Sequence, residues 1–328
     1  MTALKLVQGF TVNEKKDYIN RIAQSEPKTG VLFSEFIKQT VERKAKRMSI
    51  SYTKNYASLI HHLNNFANIY DVNIYTNSIN EVFIDDFIMY LEEHDYKHTY
   101  IKALLSLIKS MSKKAGSYGY AVDPSFDDVY YDENESFAVF LSLNEITRIY
   151  YYDNLTKAQK KIRDLFIVGC LTALRYSDYS TLTKQNFTHD FITKTTKKTN
   201  KKVIVPLHDY VREIVKKYDG SITPGLSIQH FNKYIKLICK KIGINDEITY
   251  SYKRGGKLVT ETKQKWELIS SHTARRSAAT NMYLTGRMKT YEIMALTGHT
   301  TEKSFFRYIK ITREDMVKNI AGDNFFRK

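Results

Sequence analysis

The sequence predicts a mainly helical protein of the α+β class, in which a helical bundle precedes a larger domain with small β-hairpins. Apolar residues recur at three- and four-residue spacing along most of the chain, which is typical of amphipathic helices. Two stretches instead show the alternation and the central turn residues of β-hairpins. The length of 328 residues exceeds that of an ordinary single domain. We therefore expect two domains, the first of them wholly helical.

The N-terminal part predicts a four-helix bundle over residues 31–120. Residues 1–30 are polar and show little periodicity, so we expect an extension too short for a domain of its own. Four apolar faces indicate the helices of the bundle, and these faces begin near Phe33, Tyr56, Ile79 and His98.

The acidic stretch of residues 121–138 predicts a linker between the domains. It holds one of the four prolines of the chain and lacks a steady period. Directly after it, Ser142 and Glu145 have the spacing of a capping box, which opens a new helix. Residues 139–328 then form the second domain together with a C-terminal tail.

Two β-hairpins are predicted in the second domain. The first pairs Phe191–Lys197 with Lys202–Leu207 around a turn at Thr199-Asn200. The second lies between residues 248 and 269 and turns at Gly255-Gly256. Both are short, so helices carry most of this domain.

Helices are predicted around the two hairpins. An apolar helix ends at Leu174 and is expected to be buried nearly all round. Amphipathic helices are expected over residues 208–218 and 227–243, and short helices broken by glycines over residues 272–311.

The charge of the chain favours a polyanionic partner. Lys and Arg total 51 against 35 Asp and Glu, which gives a net charge of +16. Each phosphate that a cation neutralises releases condensed counterions, so such an excess favours nucleic acid. Five exposed basic positions are candidates for contacts with DNA: Lys44, Lys46, Arg47, Lys201 and Lys202.

Several other classes of protein are disfavoured. No apolar run approaches the roughly 20 residues of a membrane span, and the N-terminus lacks the layout of a signal peptide. Cys170 and Cys239 lie in apolar helical patterns, as core residues of a reducing compartment do. Neither the cysteines nor His61-His62 have metal-ligand spacing, and we find no glycine-rich phosphate loop. We expect a cytoplasmic, nucleoid-associated protein without a metal or nucleotide cofactor.

Four separated features carry the predicted chemistry. The first is Arg175 with Asp178, one helical turn apart, and the second is Lys198 in the first hairpin. His272 lies three residues before Arg275, and Gly298-His299 lies nine residues before Tyr308. The segments read TALRYSDYSTL, TKKTNKKVIVPL, SSHTARRSAATNMYLTG and IMALTGHTTEKSFFRYIKI.

These segments resemble the motifs of the tyrosine recombinases of the phage integrase family, in the same order, over about residues 140–311. SSHTARR after a Gly-Gly hairpin is similar to the branch found in Bacteroidetes mobile elements. The resemblance implies a SAM-like DNA-binding bundle before a tyrosine-recombinase catalytic domain. It also implies a homo-tetramer on double-stranded DNA, with accessory DNA-bending or directionality proteins as further possible partners.

The residue types suit cleavage of a phosphodiester. Negative charge grows on the non-bridging oxygens, and Arg175 and Arg275 can hold two oxygens each. A tyrosine hydroxyl has an ordinary pKa of about 10, so the nucleophile Tyr308 needs a base, and His272 and His299 are the candidates.

The leaving 5′-oxygen needs a proton, which Lys198 at the hairpin turn can deliver. Lys197 and Lys201 remain alternatives for this general acid. Asp178 would orient an arginine or a histidine without touching the phosphate itself. Arg276 is interpreted as an ordinary ion-pairing residue.

Taken one at a time, each feature has a plainer interpretation. Arg175 could be a cation at a helix end, His272 and Arg275 an ordinary helix pair, and Tyr308 one of 25 tyrosines, packed in the core. The joint order and spacing favour the catalytic interpretation. The alternatives at the level of function are a catalytically inactive DNA-binding relative and a type IB topoisomerase-like enzyme. Whether the tail of residues 312–328 packs on its own domain or on a neighbour stays open.

Overall fold

The computed structural model describes residues 30–132, 137–223 and 225–309, together with Val317. The predicted N-terminal extension and C-terminal tail lie almost wholly outside these ranges. Two compact units are distinguished. Unit 1 comprises residues 1–136 and 251–260, and unit 2 comprises residues 137–250 and 261–328.

Unit 1 contains the predicted four-helix bundle. Its helices are α1 (Phe33–Lys44), α2 (Ile50–Tyr70), α3 (Glu81–Glu93) and α4 (His98–Ser117). Ser49 begins α2, and its side chain accepts a hydrogen bond from the backbone N–H of Tyr52. Asn80 does the same for Phe83 at the start of α3. Aromatic and aliphatic side chains of all four helices form one buried core.

The first half of the segment predicted as a linker is folded into unit 1. Residues Pro124–Asp127 form a short 3₁₀ helix, and Phe126 is buried in the core of the unit. Lys109 Nζ donates to the carbonyls of Asp127 at 3.0 Å and Val129 at 2.8 Å. A segment without a helical or strand period can thus still bury a single aromatic side chain, as Phe126 does here.

The tip of the second hairpin also belongs to unit 1, although the sequence assigned it to residues 139–328. Gly255 N–H donates to the carbonyl of Tyr96 at 3.1 Å, and Arg254 Nη2 pairs with Asp95 Oδ2 at 2.9 Å. Gly255 has φ +54° and a Cβ there would lie 3.1 Å from the carbonyl oxygen of Glu92. Glycine is required because the backbone is left-handed and close to a neighbour.

In the described residues, unit 2 contains nine α-helices, the first hairpin and the base of the second hairpin. The helices are α5 (Leu143–Tyr151), α6 (Lys157–Thr172), α7 (Tyr176–Tyr179), α8 (Asp209–Lys217), α9 (Ile228–Ile242), α10 (Lys265–Leu268), α11 (Ser271–Leu284), α12 (Thr290–Thr297) and α13 (Glu302–Phe306). The strands are β1 (Phe191–Thr195), β2 (Lys202–Pro206), β3 (Glu247–Arg254) and β4 (Lys257–Gln264), paired as β1-β2 and β3-β4.

Helix α6 is the centre of unit 2, as its apolar sequence predicts. Ten of its residues are buried, and its C-terminal half packs closely against α11. A Cβ at Gly169 would lie 2.7 Å from the Tyr179 ring and 3.0 Å from Ala274. Because Gly169 has no side chain, α11 can approach α6 closely. This places Arg275, the residue after Ala274, beside the end of α6.

The first hairpin is antiparallel, with Phe191 opposite Pro206 and Thr195 opposite Lys202. Ile192, Val203 and Val205 are buried, whereas Ile204 is exposed, which is the expected alternation. The turn residue Asn200 has φ +51°, a conformation that asparagine tolerates. None of the described helices is long and apolar enough to cross a membrane.

Candidate active site

Arg175 lies where α6 ends and α7 begins. Ala173 ends α6 in a left-handed conformation with φ +55°, and Arg175 is the residue that precedes the first turn of α7. Arg175 is therefore held between the end of one helix and the start of the next. Its Nη1 is buried and has no hydrogen-bond partner among the described residues.

Arg275 is buried and tied to two helix ends. It is only 2% exposed, and its Nη1 donates to the carbonyl of Ala173 at 2.6 Å. Its Nη2 donates to the carbonyl of Thr297. Burial lowers its pKa to about 10, the charge of Arg175 adds to the lowering, and Tyr308 opposes it. The group therefore stays a cation at neutral pH.

His299 follows the helix end at Gly298, whose φ of +65° closes α12. Its Nδ1 lies 2.7 Å from the hydroxyl of Thr297. Desolvation lowers the pKa of His299 to about 4, and the charges of Arg275 and Arg175 contribute. The imidazole is therefore neutral at pH 7.

Tyr308 follows α13, and its side chain lies beside one histidine and two arginines. Its ring centre is 4.8 Å from that of His299, 5.4 Å from Cζ of Arg275 and 5.8 Å from Cζ of Arg276. Phe305, fully buried, anchors the segment three residues earlier. The tyrosine itself is partly exposed, and its hydroxyl interacts with the side chain of Arg275.

His272 begins α11 and keeps access to solvent. Desolvation lowers its pKa, and the charges of Arg276, Arg275, Arg175 and Lys198 lower it further. These four cations act on one imidazole from three parts of the chain. His272 therefore lies near enough to Arg175, Arg275 and Lys198 for their charges to act on it.

Lys198 lies in the exposed turn of the first hairpin. Asp178, fully buried on α7, accepts a hydrogen bond at its Oδ1 from the backbone N–H of Lys197 at 2.8 Å. The same carboxylate helps to keep Arg275 charged. Asp178 therefore orients the lysine turn, and not only an arginine or a histidine as the sequence suggested.

Arg276 was missed as a member of the site. The sequence predicted an ordinary ion-pairing residue, but its guanidinium lies beside the Tyr308 ring and its Nη1 donates to the carbonyl of Val139 at 3.4 Å. Burial lowers its pKa, which Tyr308 opposes. The doubled arginine of SSHTARR is the only sequence signal that could have found it.

The candidate DNA contacts lie in two parts of the chain. Lys44 ends α1, while Lys46 and Arg47 are exposed in the following turn of unit 1. Lys201 and Lys202 are exposed on the first hairpin of unit 2. All five stay predictions. Among the described residues, no group of three or more His, Cys, Asp or Glu side chains could hold a metal ion.

Comparison of the sequence with protein families gives two matches. The chain matches the model of the phage integrase family over residues 139–315. It matches the model of the phage integrase SAM-like domain over residues 32–131. No curated protein sequence matches it significantly.

Solved structures share the fold. The chain is similar to a lambda integrase tetramer bound to a Holliday junction, with a TM-score of 0.62 and 15% identity, covering 91% of this chain and 84% of that one. It is also similar to the Tn1549 transposon integrase in complex with circular intermediate DNA, with a TM-score of 0.62 and 12% identity, covering 88% and 99%. The predicted fold class, mainly helical with small β-hairpins, is confirmed.

Proposed function

The chain belongs to the phage integrase family, the tyrosine recombinases, and we propose that Tyr308 is the nucleophile with which it cuts and rejoins DNA. One observation carries the assignment. The Tyr308 ring lies within 6 Å of the guanidinium carbons of Arg275 and Arg276 and of the His299 ring centre.

The arginines bind the scissile phosphate in this mechanism. Arg175 Nη1 and Arg275 Nε are buried donor atoms that have no hydrogen-bond partner among the described residues. Preorganised donors in a partly desolvated site stabilise the charge that grows on the non-bridging oxygens. Removal of one such donor typically costs about 10²–10³ in rate.

A neutral histidine takes the proton of Tyr308 as its oxygen attacks phosphorus. His272 and His299 both have lowered pKa values, partly because of the arginine charges. A bound phosphate offsets those charges, so its arrival raises both pKa values towards the working pH. The base thus becomes stronger when substrate is present.

Lys198 gives a proton to the leaving 5′-oxygen. The P–O5′ bond breaks as the bond from phosphorus to Tyr308 forms, which yields a 3′-phosphotyrosine and a free 5′-hydroxyl. A 5′-hydroxyl from a partner duplex then attacks the phosphotyrosine, and Tyr308 regains its proton. The phosphotyrosine bond conserves the energy of the phosphodiester, so rejoining consumes no nucleotide.

Double-stranded DNA is the substrate, and four copies of the chain act together on it. The lambda integrase structure with a similar fold is a tetramer bound to a Holliday junction, which supports this assembly. The net charge of +16 supports a phosphate-rich partner. The exposed basic groups of unit 1 and of the first hairpin are the proposed backbone contacts.

A nicked suicide substrate tests the proposal. Duplexes from the inverted repeats beside the coding region are nicked next to the cleavage position, so that the short 5′-hydroxyl fragment diffuses away and the adduct accumulates. The wild-type chain is expected to give a protein–DNA adduct that survives denaturation. Tyr308→Phe is expected to bind the same duplex and give no adduct.

Tyr283→Phe is the matched control, because the Tyr283 ring packs against Phe305 and Phe306 without contributing a nucleophile. It is expected to form the adduct. An adduct with Tyr308→Phe would refute the nucleophile, and no adduct with any wild-type substrate would favour an inactive DNA-binding relative. Relaxation of plasmid without any specific site would favour a topoisomerase-like enzyme.

A further inference from the structure

Residues 137–141, the entry segment, begin unit 2 and are bonded to side chains of α11. Leu141 is fully buried, and both of its backbone groups are used. Its N–H donates to Ser277 Oγ at 2.8 Å, and its carbonyl accepts from Asn281 Nδ2 at 2.8 Å. Ser277 Oγ donates its own hydrogen to the carbonyl of Thr273 at 2.7 Å, so it can accept from Leu141. The entry segment is therefore fastened to α11 by side chains of that helix.

Arg276 makes the next contact between α11 and the entry segment. Its Nη1 donates to the carbonyl of Val139 at 3.4 Å, which is the longest of the three hydrogen bonds. The side chain of Val139 is buried. At the start of the segment, the Phe137 ring stacks on Tyr250 with ring centres 4.7 Å apart. The contacts at residues 137, 139 and 141 recur with the two-residue period of an extended chain.

The same guanidinium lies beside the proposed nucleophile. Cζ of Arg276 is 5.8 Å from the centre of the Tyr308 ring, within the range of a cation–π contact. Nε of Arg276 is buried and has no hydrogen-bond partner among the described residues. Desolvation lowers the pKa of His272, and the charge of Arg276 is the next contribution, so the guanidinium lies close to the site. Val139 and Tyr308 are thus the two described contacts that orient it.

We propose that Arg276 is a positioning residue for Tyr308 and that the entry segment holds Arg276 in place. This inference rests on the proposed function of Tyr308 as the nucleophile. The Val139 carbonyl holds the guanidinium, and the guanidinium holds the phenol ring while the hydroxyl interacts with Arg275. Displacement of the entry segment releases Arg276 and weakens the hold on the ring. The first residues of unit 2 therefore control how well the nucleophile is presented.

The contact with the ring is tested by two variants of Arg276. Arg276→Met keeps an unbranched side chain and removes the charge, whereas Arg276→Lys keeps a cation that can lie over the ring. Arg148→Met is the matched control, because Arg148 Nη2 also donates to backbone carbonyls, those of Ile242 at 3.2 Å and Gly243 at 3.3 Å. None of the described contacts of Arg148 involves Tyr308.

The contact with the entry segment is tested by two further variants that leave Arg276 intact. Ser277→Ala removes the acceptor for Leu141 N–H, and Asn281→Ala removes the donor to its carbonyl. Each loosens the segment through one hydrogen bond, so either one suffices if the other fails to fold. Circular dichroism and urea unfolding verify the fold of every variant.

The first readout is the environment of the Tyr308 ring, measured by fluorine NMR of the full chain with 3-fluorotyrosine at position 308 alone and without DNA. Ser277→Ala and Asn281→Ala are expected to move or broaden the signal, although neither change touches the ring in the described contacts. Arg148→Met is expected to leave the signal as in wild type. An unchanged signal in a folded Ser277→Ala or Asn281→Ala would overturn the proposal. This readout needs no cleavage, so it separates failure of the inference from failure of the proposed function.

The second readout is the rate of adduct formation on the nicked substrate. Arg276→Met is expected to be slower by about ten-fold, the size of one partly desolvated cation–π contact. Arg276→Lys is expected to remain within about three-fold of wild type, and Arg148→Met within about two-fold. An Arg276→Met rate equal to that of wild type would overturn the proposal.

A double-mutant cycle shows whether the entry segment acts through Arg276. Ser277→Ala alone is expected to slow adduct formation by about three-fold, and to have no further effect when combined with Arg276→Met. Losses that multiply in the double variant would show that the segment acts independently of Arg276, which would overturn the proposal.

Discussion

Arg275 and Lys198 are both cations of the proposed site, but the chain holds them in opposite ways. Arg275 is 2% exposed on α11 and donates to carbonyls at the ends of two other helices. Lys198 lies exposed in a hairpin turn, and the backbone N–H of its neighbour Lys197 donates to the buried Asp178. The contrast matches the two tasks: a charge that must stay fixed, and a proton donor that must approach and leave.

Substitution of the buried Arg275 is expected to have the largest effect on the rate of adduct formation. Arg275→Lys keeps the charge but loses the planar fork, so the carbonyls of Ala173 and Thr297 cannot both be satisfied. Adduct formation is expected to fall by about 10³, at the upper end for one oriented donor. The free energy of unfolding is expected to fall by about 2 kcal/mol. Rate and urea midpoint are measured together, and a loss of rate with full stability would contradict the dual role.

Lys198→Ala is expected to lower the rate of adduct formation by about 10², the contribution of a general acid. Stability is expected to stay unchanged, because the side chain is exposed. Lys197→Ala and Lys201→Ala are the matched controls on the same turn and are expected to keep near wild-type rates.

A substrate with sulfur in place of the 5′-bridging oxygen sharpens this test. A thiolate leaves without a proton, so Lys198→Ala is expected to regain most of its rate on it, whereas Arg275→Lys is not. If Lys197→Ala or Lys201→Ala shows the defect and the rescue, the general acid is that lysine.

Asp178 accepts from the lysine turn and its charge acts on Arg275. Its variants are expected to have a smaller effect on the rate of adduct formation. Asp178→Ala removes the acceptor for Lys197 N–H, and we expect about ten-fold slower adduct formation. Asp178→Asn keeps an oxygen that can accept the same hydrogen bond, so a loss of only about two- to three-fold is expected. Equal losses in both variants would show that the carboxylate charge matters and the tether does not.

The smallest effect concerns the pH dependence of stability. The pKa of His299 is about 4 in the folded chain, against about 6.5 for a histidine in an unfolded chain. Between these values the unfolded chain binds a proton that the folded chain does not, so the contribution of His299 to stability is lost as pH falls.

Urea unfolding of wild type and His299→Gln between pH 7 and pH 4 measures this contribution. The decrease in stability is expected to be smaller in His299→Gln by about 1–2 kcal/mol, allowing for the partial exposure of the ring. Parallel curves for the two proteins would refute the lowered pKa.

Features that depend on local sequence could be predicted, whereas features that depend on contacts between distant segments could not. Periodicity gave the helices and the first hairpin, and motif order gave Arg175, Arg275, His299 and Tyr308, because these signals are local or ordered along the chain. The packing of Phe126 and of Gly255 against unit 1 could not be predicted, since both depend on contacts between segments distant in sequence.

The position of Arg276 beside Tyr308 could not be predicted for the same reason. Arg276 gains its place only when Tyr308, 32 residues later in the sequence, folds back beside it. The domain boundaries and the DNA-contacting residues stay predictions.

The central claim is that the fixed cations surround one nucleophile among 25 tyrosines. Its most direct test is digestion of the trapped wild-type adduct with protease and nuclease, followed by mass spectrometry of the peptides. The expected result is a nucleotide phosphate on Tyr308 alone. A phosphate on any other tyrosine would contradict the account.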